Sequence, residues 1–271
     1  MTAEKPAMVL GQRIYGWRVY GLGVMALGMV CLASGDFVSG QPVPKDFPGR
    51  AALAYAAAAL MLGAGAAVEW RRIAARGAAV LTVYYALVVV ILMNSRVMLA
   101  HYAEYGAYSG TAEQLAIAAG GLIVYAGSAR IDAALGARLT RLGQLTFGVC
   151  AVLFGGAHFF YLNLTVPLVP KWLPPGQVFW AYATGIGQIA ASIAILTDVQ
   201  ARLATILLTA MYVSFALLVH APMLWAAPSS HWIWTENATN LALTGAAWVV
   251  TDSLTRRRAL GSASAGSDAR R

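Results

Sequence analysis

Four chemically useful side chains stand on four successive apolar segments: His158, Gln188, His220 and Glu236. A neutral imidazole can hydrogen-bond a carbonyl, and a nearby carboxylate can take up a released proton. Around them the polar residues recur at helical spacing. Thr184, Gln188 and Ser192 lie four apart, as do Glu236, Asn240 and Thr244, while Thr205, Thr209, Tyr212 and His220 share a third face. A helix puts each such set on one stripe. We therefore expect His158, Gln188, His220, Glu236, Tyr212 and Asn240 to form a ligand-binding pocket suited to a quinone head group. A second reading stays open, because polar side chains between membrane helices also act as hydrogen-bonded links worth about 0.6–2 kcal/mol each. No spacing marks a metal site, and none is expected.

The elements that must position these residues follow from composition. Hydrophobic residues make up 59% of the chain and charged ones 11%, with a mean hydropathy of +0.65. Roughly a quarter of the residues in a soluble domain are charged. Apolar runs recur at about 17–37, 51–70, 77–100, 112–129, 142–162, 177–196, 203–225 and 234–254. Each is long enough to cross about 30 Å of hydrocarbon as a helix. The expected fold is all-α, a polytopic membrane protein with eight transmembrane helices. The start does not read as a cleaved signal, since its first apolar run lacks a small-residue cleavage site followed by polar sequence.

Charge gives the orientation. Of the 19 Lys and Arg residues, all but Lys45, Arg50, Arg96 and Lys171 fall on one side of the alternating segments. That bias places both termini in the cytoplasm by the positive-inside rule. The net charge of +8 is thus a topology signal, and no nucleic-acid partner is expected. Trp172, Trp180, Trp225, Trp232 and Trp234 mark one membrane interface, and Trp17 and Trp70 the other. Cys31 and Cys150 form no Cys-x-x-Cys pair, so thiol–disulfide exchange is not expected and both read as small core residues.

The chain also carries an internal repeat. Val43-Pro44-Lys45 returns as Val169-Pro170-Lys171, and Tyr55 as Tyr182. Asp36 pairs with His158, His101 with His220 and Glu113 with Glu236, at offsets between 119 and 127 residues. Ordered landmarks at nearly constant offset indicate duplication. Each copy has four helices, an even number, so both insert the same way round, as two parallel-repeat four-helix bundles. Gly21, Gly28, Gly148 and Gly155 read as close-packing positions on helices 1 and 5. The polar stripe of the second copy has no counterpart in the first, where Ala57, Met61 and Gly65 occupy the helix 2 positions. A site confined to one half would lie in the second.

"GAHFF", "VPKWLPP", "WAYATGIGQ", His220 and "WTENATNLALTGA" in that order resemble the DoxX family of small four-helix membrane proteins. Residues 142–254 match best, and 17–129 look like a diverged second copy. The resulting division is an N-terminal cytoplasmic segment 1–16, the repeats 17–129 and 142–254, a cytoplasmic linker 130–141 and a basic, disordered cytoplasmic tail 255–271.

The resemblance implies the membrane subunit of a quinone-linked redox or sulfur-metabolism system in the plasma (inner) membrane, with a polar pocket near the outer leaflet. If the chain is an enzyme, it would be a quinone-linked oxidoreductase subunit. A redox-enzyme partner is then expected, because the chain has no dinucleotide loop, Cys ligand set or haem-attachment motif. The alternatives are a non-enzymatic assembly factor or scaffold and a small-molecule transporter.

Overall fold

The computed structural model describes residues 15–268, with side chains through residue 256. The expected segment 1–16 therefore falls, at residues 1–14, outside the described residues, as do residues 269–271 of the expected tail. All regular structure among the described residues is helical. The long helices are α1 (Gly16–Ser34), α2 (Arg50–Glu69), α3 (Ala74–Ala100) and α4 (Tyr105–Ser128). They continue with α5 (Ala133–Phe160), α6 (Gln177–Thr197), α7 (Ala201–Ala226) and α8 (His231–Asp268).

Six of these, α1, α2, α3, α5, α6 and α7, are long and apolar enough to cross a membrane. The other two occupy the centre of the bundle. Helix α4 lies against α3, α5 and α8, and α8 lies against α1, α4 and α7. A helix surrounded by other helices has no need of an apolar outer face. Accordingly α4 buries Gln114, Gly120 and Gly121, and α8 buries Ala242, Ala246 and Ala247. The peripheral helices instead turn Leu22, Leu92, Ile186, Leu207 and Leu217 outward, each more than half exposed.

Small residues set how closely the helices meet. A methyl group at Gly28 of α1 would come within 3.2 Å of the Ala58 carbonyl oxygen on α2. One at Gly155 of α5 would come within 2.7 Å of the Gly185 carbonyl oxygen on α6. In both contacts the partners stand 127 residues from their counterparts. Gly23 of α1 faces the backbone of Ala242 on α8, and Gly143 of α5 lies 3.0 Å by the same measure from the Ala119 carbonyl oxygen on α4. The first helix of each half thus packs against the last helix of the other.

Local chemistry fixes the helix ends. Asp132 caps α5 by accepting hydrogen bonds from the backbone N–H groups of Ala134 and Leu135, satisfying two donors that a helix start leaves free. The helix therefore begins at Ala133 and runs through much of the stretch marked as a linker. Gly35, at φ 63°, ends α1 in the left-handed conformation that glycine adopts without a Cβ clash. Arg141 donates to the carbonyl oxygens of Ile195 and Leu196 at 3.0 and 2.9 Å, covering the last turn of α6.

Two helices change pitch. Tyr84–Asn94 in α3 and Ala216–His220 in α7 are wound as π-helix. In α7 the widened turn is followed by Pro222, whose ring nitrogen has no N–H to return to Leu218. The wide turn carries His220.

Candidate functional site

The structure brings all six sequence-derived residues to one cavity of about 700 Å³. It sits at the end of the bundle covered by the proline-bracketed loop, with Val169, Pro170 and Leu173 in its wall. His158 comes from α5, Gln188 from α6, Tyr212 and His220 from α7, and Glu236 and Asn240 from α8. The loop is tied down by Gln177, which donates to the Val169 carbonyl at 2.6 Å, and by the Trp180 indole, which donates to the Pro174 carbonyl at 2.8 Å.

Within the cavity His158 is held on both ring nitrogens. Its Nε2 lies 3.0 Å from the Gln188 side-chain nitrogen and its Nδ1 lies 3.2 Å from the Thr184 hydroxyl. Asn237 anchors the π turn of α7 by donating to the His220 backbone carbonyl at 2.9 Å. Four other polar atoms are buried without a hydrogen-bond partner in the protein: Gln188 Oε1, Tyr212 Oη, His220 Nδ1 and Asn240 Oδ1. Each belongs to a residue lining the cavity.

The polar stripes divide along their length. Ser192 donates to the Gly148 carbonyl at 2.6 Å, Thr244 bonds its own helix at Asn240, and Thr209 meets Thr251 at 3.4 Å. Ser192 and Thr209 link helices, while Thr244 stays on its own. The upper members of the same stripes open into the cavity.

No family model, curated protein or solved structure matches this chain.

One residue joins the site that sequence reasoning placed outside it. Glu113, on α4 of the first half, lines the cavity beside the second-half residues. It reaches there because α4 packs against both α5 and α8. Spacing along α4 shows that Glu113 is unusual in an apolar helix, but not which neighbouring helix its face meets. Asp36 stays away from the site, pairing with Arg50 at 2.5 Å, and His101 pairs with Glu104 at 2.8 Å near the surface.

The first half has no comparable cavity among the described residues. Its interior is filled by Gln41, which accepts from the Tyr84 hydroxyl at 3.2 Å and donates to the Met61 sulfur at 3.4 Å. The Tyr85 hydroxyl reaches the same sulfur at 3.2 Å. Beside Arg96 and His101 lies only a small groove of about 280 Å³. Among the described residues no group of three His, Cys, Asp or Glu side chains could hold a metal ion. Both cysteines are buried and free, and Cys31 donates to the Ala54 carbonyl at 3.2 Å.

Proposed function

We propose that this chain binds the polar head group of a membrane-borne quinone in the cavity of its second half, as the membrane subunit of a quinone-linked redox or sulfur-metabolism system. It would lie in the plasma membrane with eight spans and both termini cytoplasmic, and would be built from two DoxX-like four-helix units. Electrons would pass to or from a partner enzyme.

The observation that carries this reading is the convergence of four unpartnered buried polar atoms on one cavity. A buried polar group left without a partner costs about 1–3 kcal/mol. Four together would cost roughly as much as the whole net stability of a typical domain. Such a cost points to a bound partner in the working protein.

The rest of the lining indicates what kind of partner. Phe154, Leu173, Met211, Phe215 and Leu243 make an apolar wall. Leu207, Ala210 and Leu218 line the cavity and are also exposed on the outer face of α7. Water entering from solution would meet a polar mouth. An apolar mouth on an apolar helix face suits an amphiphile arriving sideways from lipid. A quinone fits the polar groups too: Tyr212 and the His220 imidazole can donate to ring oxygens, and the carboxyl groups can exchange protons. When bound, it would supply two-electron, two-proton chemistry.

The eight-span arrangement is supported by length, since α4 and α8 have 24 and 38 residues and about 20 suffice. The repeat is supported by the matching glycine contacts. It is supported again by the hinges, where Arg50 donates to the Val43 carbonyl as Gln177 does to Val169. These contacts favour a register of 127 residues in which His158 answers to Cys31, Gln188 to Met61 and Tyr212 to Tyr85. Asp36 then has no counterpart role, and the two units interlock rather than stand apart.

The test is saturable binding of a decyl benzoquinone to the detergent-purified protein. One site per chain is expected, with affinity lowered by Tyr212→Phe in protein that melts normally. Absence of saturable binding, together with co-purification of a redox enzyme, would favour the scaffold reading.

A further inference from the structure

The cavity has a hydrogen-bonding polarity, and it is set by a relay that starts on the backbone. Thr184 directs its hydroxyl to the Trp180 carbonyl at 2.7 Å, with the Ala181 carbonyl at 3.2 Å. A hydroxyl has one proton to give. Towards His158 Nδ1, 3.2 Å away, Thr184 can then only accept, so Nδ1 carries the imidazole proton. Nε2 of the same neutral ring is left as a lone pair. Gln188 must meet that lone pair with its NH₂ group, at 3.0 Å. The opposite orientation would set its carbonyl oxygen against a second acceptor.

The consequence is that Gln188 turns Oε1 away from His158, 2% exposed and with no partner in the protein. Asn240 Oδ1 is a second unpartnered acceptor, on a residue 8% exposed. The carboxyl groups of Glu113 and Glu236 add further acceptor oxygens, and no Lys or Arg lines the cavity. The wall is therefore rich in acceptors. Tyr212 Oη and His220 Nδ1, also unpartnered, can complement a head-group oxygen.

We infer that the site selects a head group that donates hydrogen bonds through phenolic hydroxyls, so that the reduced dihydroxy ring binds in preference to the quinone. The inference rests on the head-group reading above. A hydroxyl gives its proton to Gln188 or Asn240 while its oxygen accepts from Tyr212, a pairing that neither a quinone carbonyl nor an ammonium group can make alone. His158 acts here as a positioning residue: it fixes which end of the Gln188 amide faces the ligand.

The experiment uses purified full-length protein under anaerobic, reducing or neutral conditions as each probe requires. The probes share one ring and decyl tail: the hydroquinone, its dimethyl ether and the quinone, with decylammonium as a fourth. The hydroquinone is expected to bind about tenfold or more tighter than the ether and the quinone, the scale of one buried hydrogen bond. Thr184→Val removes the acceptor that fixes the imidazole proton, so the hydroquinone-to-quinone ratio should fall towards one, and Thr184→Ser should restore it. Equal binding of hydroquinone and ether, or tighter binding of the quinone, overturns the inference and leaves the cavity reading standing. Decylammonium binding most tightly also overturns it, since charge would then be what is recognised. Failure of every probe overturns the head-group reading itself. If Thr184→Val does not fold, the hydroquinone and ether comparison in the unaltered protein still decides.

Discussion

Glu113 of α4 and Glu236 of α8 line the same cavity, two carboxyl groups in one pocket with no Lys or Arg in its wall. They come from opposite halves of the chain. Glu113→Gln should therefore weaken decyl hydroquinone binding about as much as Glu236→Gln, on the order of tenfold each for a lost buried interaction. Asp36→Asn, which breaks only the pair with Arg50, should leave binding unchanged. Titration of the three purified variants with the same probe checks this.

The stripe on α6 should split by position. Gln188→Leu is expected to lower decyl hydroquinone binding with little change in melting temperature. Ser192→Ala removes the hydroxyl that donates to Gly148 at 2.6 Å, and should cost about 0.6–2 kcal/mol of stability with binding intact. Thermal melting and ligand titration of both variants separate the roles. If the two behave alike, the division of the stripe into linking and cavity-lining parts is wrong.

Helix α5 should tolerate no bulk where it crosses α6. Gly155→Val would drive a side chain into the Gly185 carbonyl and Ile189, 2.7 and 2.6 Å from the added carbon, costing about 1–3 kcal/mol by overpacking. Binding should fall as well, because His158 and Gln188 sit on those two helices. Gly63→Ala meets open space on α2 and should be neutral or stabilising by up to about 1 kcal/mol through helix propensity. Melting curves in detergent read both.

Several of these features are legible in the sequence for a simple reason. Helical periodicity fixes which side chains share a face, and that alone gathers Thr184, Gln188 and Ser192, or Glu236 and Asn240. What faces each stripe is a property of packing between helices. Nothing in the spacing shows that α1 leans on α8 and α5 on α4, and so Glu113 reads as belonging to the first half alone. The π turns are equally hidden, although Pro222 marks the one in α7. The hinge motif is the sequence signal for the proposed duplication, but titratable residues make poor landmarks for its register. Asp36 and His158 share a place in order, whereas the glycine contacts pair His158 with Cys31.

Topology has its own measurement. Reporter fusions after Arg76, within 130–141 and at the C-terminus should all report the cytoplasm, since the basic residues cluster there. A periplasmic report from any of the three would contradict the orientation and move the cavity to the other leaflet.

The central claim, that the cavity of the second half receives a membrane-borne head group, is tested most directly by photolabelling. A short-tailed quinone carrying a photoreactive group on the ring is irradiated with the protein in lipid vesicles, and the labelled peptides are mapped. The expected result is labelling concentrated on residues around Gln188, Tyr212, His220 and Asn240, suppressed by excess unlabelled quinone and by Tyr212→Phe. Labelling spread over the outward faces of α1, α2 and α3, and indifferent to competitor, would contradict it.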